Sequence, residues 1–474
     1  MTDFFLELEK NARRFPGSPA IVSRTGHVSY GYLAGSIESV AAAAAAAGIA
    51  PGQTILLNCL NNEARFPLVL GLLRLGVTLA LGVKPATFAE HNVRFDAMVS
   101  DNPRLRGNFK IIRPTPQWFK VESTGKAVTA DRPDYAMIFS STGSTGTPRL
   151  IKFDRNNFEY RIGNKFDDVY FSDCPRSFLA AGPMTAITII DTIAALKKCG
   201  VVIQHTVRSP VSILDSINLF KPDYVCMAPS ALVNVLELLR DKPRKLEKVD
   251  YLRLTGSYCS IETREKALEI FAEDIITSYG VTEIGRVAWS RLADICDTEG
   301  SVGRIIDGMS VETVDDDGNA LASGSEGEIR IKPPKAAPAS YVTAGGEQSA
   351  LRDGWFYPGD LGRVDADGNL IITGRKSTVI NLGGNKVSPE FVESLLGKME
   401  AIADVGVLGV KGPNGFDAVC AVVVQKKNVN LEEINAQVSA QSGRFRVREL
   451  RFAPAIPRTA NGKIDRIGLK ELAS

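Results

Sequence analysis

Between two apolar runs, AMIF at Ala136–Phe139 and LIKF at Leu150–Phe153, the chain reads SSTGSTGTPR from Ser140 to Arg149. Gly143 and Gly146 let the backbone adopt positive φ and bring its N–H groups close to a bound group, while Ser141, Thr142, Ser144 and Thr145 add hydroxyl donors. Flanked in this way, the stretch reads as strand, tight loop, strand within one domain. Such a loop is either a flexible connection or a wrap for an anion such as phosphate. It is not the common nucleotide loop, because Gly146 is followed by Thr147, Pro148 and Arg149 where that motif needs Lys and a hydroxyl. A kinase reading also fails, since neither a G-x-G-x-x-G over a strand nor an H-R-D loop is present.

Other chemistries find little to work with. His27, His91 and His205 are the three histidines and show no ligand spacing, which disfavours zinc or a His-based hydrolase. The seven cysteines include no C-x-x-C pair, and their odd number in a long chain fits reduced thiols and a cytoplasmic setting. The 56 basic and 54 acidic residues leave a net charge of +2, so no overall field gathers nucleic acid or anionic membrane. The opening MTDFFLELEK carries acids where a secretory signal needs basic residues. The apolar stretch Phe178–Leu196 is interrupted by Gly182, Pro183 and Asp191, and reads as buried core rather than a membrane span.

The elements that must position the loop alternate. VAAAAAAAGIAPGQTILLNC is a helix stopped at Gly48, a turn at Pro51-Gly52, and a buried strand from Thr54 to Asn58. FPLVLGLLRLGVTLALGV, SILDSINLFKPDYVCMAP and LEKVDYLRLTGS repeat helix then strand, which argues for a largely parallel sheet with helices on its faces. After Val302, SVETVDDDG, EGEIRIKPP and GRVDADGNLIITG read as hairpins of a β-rich subdomain. In SPEFVESLLGKM, Ser388 is the N-cap and Pro389 the first helical residue, with Val392, Leu395, Leu396 and Met399 on one face. A small α+β domain follows, with strands at VGVLGV and AVCAVVVQ and a helix at LEEINAQVSA. The expected organisation is an N-terminal domain over 1–374 with its β-rich part at about 302–374, a hinge at 375–380, and a C-terminal domain over 381–474.

STGSTGTPR, YGVTE at Tyr279–Glu283, GWFYPGDLGRVDADGNLIITGRK at Gly354–Lys376 and PRTANGKIDR at Pro457–Arg466 stand in the order and spacing of the adenylate-forming (ANL) superfamily. The chain therefore resembles acyl-CoA synthetases, adenylation domains of peptide synthetases, and luciferases, over nearly its whole length. The resemblance implies an α/β fold with a small mobile C-terminal domain. It also implies a reaction that joins a carboxylate to the α-phosphate of ATP, releases pyrophosphate, and passes the acyl group to a thiol. On this reading the Gly-rich loop, Ser141 to Gly146, holds the β- and γ-phosphates, Thr282 touches the α-phosphate, and Glu283 places Mg²⁺. Gly256, Ser257, Tyr258 and Tyr279 line the adenine slot, Gly280 is a further cofactor-binding residue, Asp360 accepts from the ribose hydroxyls, and Arg375 meets ribose or phosphate. Lys463 bridges the α-phosphate and the incoming carboxylate.

The chain also departs from the family pattern. Arg149 stands where Lys is usual, Ser377 where Asp or Lys is usual at the hinge, and Ala186 where His is frequent. Amino-acid-activating relatives place an Asp in the GPMTAITI stretch, and none lies between Pro183 and Ile190. With Met184, Thr185, Ala186 and Ile187 beside the acyl pocket, an apolar aryl or alkyl acid is the expected substrate and CoA the expected thiol. The alternatives are a ligase that loads the phosphopantetheine arm of an acyl carrier protein, and a non-catalytic nucleotide-binding regulator that kept the fold.

Overall fold

In the computed structural model, alternating helices and strands build two large sheets, and a smaller three-stranded sheet carries the C-terminal part. The structure describes residues 3–121, 134–141, 148–163, 176–179, 185–204, 209–257, 259–292, 298, 300–382, 386–412, 416–441, 445–459 and 463–473.

The first sheet has 13 strands. Its parallel part runs from Pro19–Ser23 through Val201–Ile203, Arg176–Leu179, Tyr224–Met227 and Val249–Thr255 to Ala272–Val281. Antiparallel strands continue it from Gly285–Arg291 to Ser310–Val314. The second sheet has eight strands, and its parallel centre holds Thr54–Asn58, Thr78–Leu81, Ala97–Ser100 and Ala136–Ser140. The strands within 302–374 divide between these two sheets: Ser340–Thr343 pairs with Leu150–Asp154 of the second, whereas Asp360–Val364 and Asn369–Arg375 belong to the first.

The Ala-rich helix covers Tyr30–Ala46, and Gly48 beyond it has φ +82°, the left-handed turn that ends such helices. Its small side chains admit a close neighbour. A Cβ added at Gly71, in the helix Asn62–Leu75, would lie 2.5 Å from Val40 Cγ1, so the two helices are in direct contact there. One expectation is corrected. The segment before the strand Val249–Thr255 is not helical: the helix ends at Asp241 and residues 242–248 are irregular, because Lys242, Pro243, Arg244, Lys245, Glu247 and Lys248 leave too few apolar residues to form a buried face.

In the C-terminal part, the helices Pro389–Gly397, Leu431–Gln441 and Arg466–Ala473 pack on the strands Ile402–Lys411, Asp417–Gln425 and Val447–Phe452. Ser388 accepts from Phe391 N, capping the first of these helices. Among the described residues no helix is long and apolar enough to cross a membrane. Among the described cysteines, Cys59, Cys259 and Cys420 are free thiols.

Candidate active site

The strand Ala272–Val281 ends in Thr282-Glu283-Ile284, a turn that doubles back antiparallel into Gly285–Arg291. Two glycines make the turn tight. A Cβ at Gly280 would sit 2.5 Å from Gly285 O, and Gly285 has φ +96°. Ile284 is fully buried and anchors the turn, leaving Thr282 and Glu283 half-buried. Beside it the parallel strand Val249–Thr255 pairs Thr255 with Ser278, so Gly256 and Ser257, both exposed, emerge next to Tyr279.

Tyr279 reaches Asp360, its hydroxyl donating to Oδ2 at 2.5 Å. Asp360 is 3% exposed and pairs across the ladder with Arg375, whose Nε lies 2.9 Å from Oδ1. Burial raises the Asp360 carboxyl above the ordinary aspartate range, against the opposing pull of Arg375, Tyr279 and Lys463. The same burial, reinforced by the Asp360 charge, drives the Tyr279 phenol well above its usual value.

Lys463 comes to this group from the far end of the chain. Its loop is clipped at the base, where Thr459 N donates to Lys463 O and Asp465 N to Pro457 O, each at 2.8 Å. Arg466 fixes it from behind, pairing with Glu393 and, at 3.0 Å, with Glu390. Burial and the like charge of Arg375 lower Lys463 below the ordinary lysine range, and Asp360 opposes them. The cationic form is the one suited to an anionic phosphate, and it is lost as pH rises through this lowered pKa. Pyrophosphate release should therefore fall on the alkaline side below the pH at which an ordinary lysine titrates. Lys463→Arg, which stays charged, should be slower but should move that limb upward in a pH profile of kcat. An unmoved limb would assign the titration to another group.

Of the Gly-rich loop, the described residues are those at its mouth. Ser141 N donates to Arg149 O at 2.9 Å, and Arg149 N to Ser141 Oγ at 2.8 Å, closing the strands Ala136–Ser140 and Leu150–Asp154 into a hairpin. Thr142, Gly143, Ser144, Thr145 and Gly146 lie outside the described residues, as do Tyr258 and Met184. Arg149 Nη1 donates to the Tyr341 hydroxyl at 3.1 Å, which itself donates to Glu283 Oε1 at 3.0 Å. Tyr341 gave no sign in the sequence. It sits in a short strand, Ser340–Thr343, flanked by Gly346–Ser349 on its other side, and reaches Glu283 because that strand pairs with Leu150–Asp154.

Thr185 caps the helix Ala186–Lys197, accepting from Thr188 N, and Ala186 and Ile187 pack against the large core. Further along, Asp191 is buried against Arg253 at 3.3 Å, and Arg253 Nε donates to Ser278 Oγ at 3.1 Å. This chain of contacts ties the helix to the strand that carries Tyr279. It also means that the carboxylate nearest the GPMTAITI stretch is already neutralised.

The AMP-binding enzyme family model matches residues 82–341, and the AMP-binding enzyme C-terminal domain model matches residues 391–463. The chain belongs to the AMP-binding enzyme family and so to the adenylate-forming superfamily. It is an ATP-dependent, AMP-forming acid–thiol ligase. The indoleacetate–CoA ligase of Aromatoleum aromaticum is 25% identical, with 98% of this chain and 97% of the relative covered. The vibriobactin-specific 2,3-dihydroxybenzoate-AMP ligase of Vibrio cholerae is 24% identical, over 98% of this chain and 92% of the relative. The crystal structure of the anthranilate CoA ligase AuaEII in complex with anthranoyl-AMP superposes with a TM-score of 0.86 at 20% identity, covering 100% of this chain and 97% of that one.

Proposed function

We propose that the chain activates an apolar aryl or alkyl carboxylic acid lacking an α-amino group, and transfers the acyl group to CoA. The observation that carries this reading is the convergence of Lys463 with Asp360, Arg375 and Tyr279, one strand end from Thr282 and Glu283. A purely regulatory nucleotide-binding protein has no use for a lysine delivered there by a second domain. The names of the relatives, indoleacetate, 2,3-dihydroxybenzoate and anthranilate, point to the aryl class.

In the first half-reaction the acid's carboxylate oxygen bonds to the α-phosphorus and pyrophosphate leaves. Two anions must meet, so the Lys463 ammonium placed between them offsets their repulsion, and Thr282 donates to the α-phosphate. Asp360 accepts from the ribose hydroxyls, its carboxylate aligned by Tyr279 and Arg375. Glu283 is the residue to hold Mg²⁺. It offers a hard oxygen at a half-buried turn, and among the described residues no cluster of three potential ligands exists, which suits an ion that keeps water and takes phosphate oxygens. Magnesium, when bound, neutralises phosphate charge. In the second half-reaction the CoA thiol, losing its proton, bonds to the acyl carbon, and AMP leaves with the electrons of the broken acyl–phosphate bond.

The pocket reading excludes amino acids on physical grounds. A buried ammonium with no free carboxylate loses several kcal/mol, as a rough magnitude, and Asp191 is held by Arg253. ATP–pyrophosphate exchange across a panel of acids tests this. Aromatic and alkyl acids should support exchange with AMP as product, and α-amino acids should not. ADP as the primary product, or an amino acid exceeding every simple acid, would overturn the proposal.

A further inference from the structure

Beneath the Thr282-Glu283 turn lies a residue that no motif marks. Arg161, on the helix Arg155–Gly163, is buried, and its side chain extends under the turn rather than to solvent. Nη1 donates to Thr282 O at 2.7 Å. Nη2 donates to Glu283 O at 2.8 Å and to Ala337 O at 3.1 Å. Its guanidinium carbon stands 4.0 Å from the ring centroid of Phe153, in the strand that leaves the phosphate loop. One turn earlier on the same helix face, Asn157 also donates to Ala337 O. Burial brings Arg161 down to about 9, and the Glu283 charge opposes that fall.

A charge so placed is costly, and an apolar side chain would hold a helix against a sheet at lower cost. What the guanidinium adds is geometry. Its planar fork satisfies two consecutive carbonyls at once, which fixes the peptide planes on both sides of Glu283. Both Thr282 and Glu283 project from that fixed backbone.

We propose that Arg161 is a positioning residue, orienting Thr282 and Glu283 toward the phosphates of magnesium-bound ATP by clamping the carbonyls of their turn. This rests on the reading of Glu283 as the magnesium carboxylate. Arg161 touches no reacting group, and acts through the turn and, by its stacking on Phe153, in register with the phosphate-loop strand.

Arg161→Lys keeps a charge and loses the fork, whereas Arg161→Met removes both. Thermal melts place each variant well below its transition, and calorimetry then measures ATP binding with and without Mg²⁺. Arg161→Lys should weaken ATP binding by about tenfold when Mg²⁺ is present and by distinctly less in its absence, where only the Thr282 contact is disturbed, the scale expected for a misplaced contact group. The KM for the acid should not move. In a Glu283→Gln background, whose own ATP binding should have lost its response to Mg²⁺, Arg161→Lys should add little. Parent-like binding in Arg161→Lys, or equal weakening with and without the metal, would overturn the proposal while leaving the reading of Glu283 intact. A Glu283→Gln variant that kept the parent's response to Mg²⁺ would overturn both.

Discussion

Lys463→Ala is expected to slow acyl-adenylate formation by about a hundredfold or more, the scale for losing one preorganised charge contact in a partly enclosed site. The second half-reaction should be largely spared. Lys463 lies on a loop anchored to the C-terminal domain through Arg466, so any movement of that domain carries the ammonium away from Asp360. Supplied with synthetic acyl-adenylate and CoA, the variant should form thioester at close to the parent's rate. Single-turnover measurements of the two steps provide the check. Equal damage to both, or to neither, would remove the claim that this loop serves adenylation alone. Ser377, exposed just beyond Arg375, leaves the proposed hinge a small polar residue, and rotation there would need backbone freedom more than a given side chain.

Asp360→Ala should raise the KM for ATP by about ten- to hundredfold, because a hydrogen bond to a charged acceptor is worth roughly 1.5–3 kcal/mol. The loss has two sources. The ribose hydroxyls lose their acceptor, and the Tyr279 hydroxyl and Arg375, which Asp360 aligns at 2.5 and 2.9 Å, lose their partner. Deoxyribose analogues separate these sources. The parent should bind 2′- or 3′-deoxy-ATP more weakly than ATP, and Asp360→Ala should bind the two alike. A variant that still discriminated as the parent does would place ribose recognition elsewhere. Asp360→Asn, which keeps an acceptor oxygen and loses the charge, should fall between them.

The parts of the site that could be read in the sequence are those made by neighbours in the chain. The hairpin around the Gly-rich loop follows from two apolar runs of matching length, and the structure pairs Ser140 with Leu150 as that pattern requires. The helix cap at Ser388 is similarly local. LEKVDYLRLTGS misled for the complementary reason: its strand was legible, but the helix before it ends several residues earlier than the repeated pattern suggested. The motif order identified the superfamily because each motif is a short loop with its own residue requirements.

Arg161 and Tyr341 could not be read in this way. Arg161 meets Thr282 across 121 residues, and Tyr341 meets Arg149 across 192. Asp191 read only as an interruption of a buried apolar stretch until the strand bearing Arg253 was laid against it. The sequence by itself determined the strand–loop–strand units, the helix caps and the order of the reactive motifs, because those depend on backbone preferences and side-chain spacing within a few residues. Tertiary structure alone decided that Lys463 faces Asp360, that Asp191 is neutralised, and that a buried guanidinium holds the turn of Glu283. Those outcomes depend on which strands become neighbours, and strand neighbours are set by the burial of whole sheet faces rather than by any local pattern.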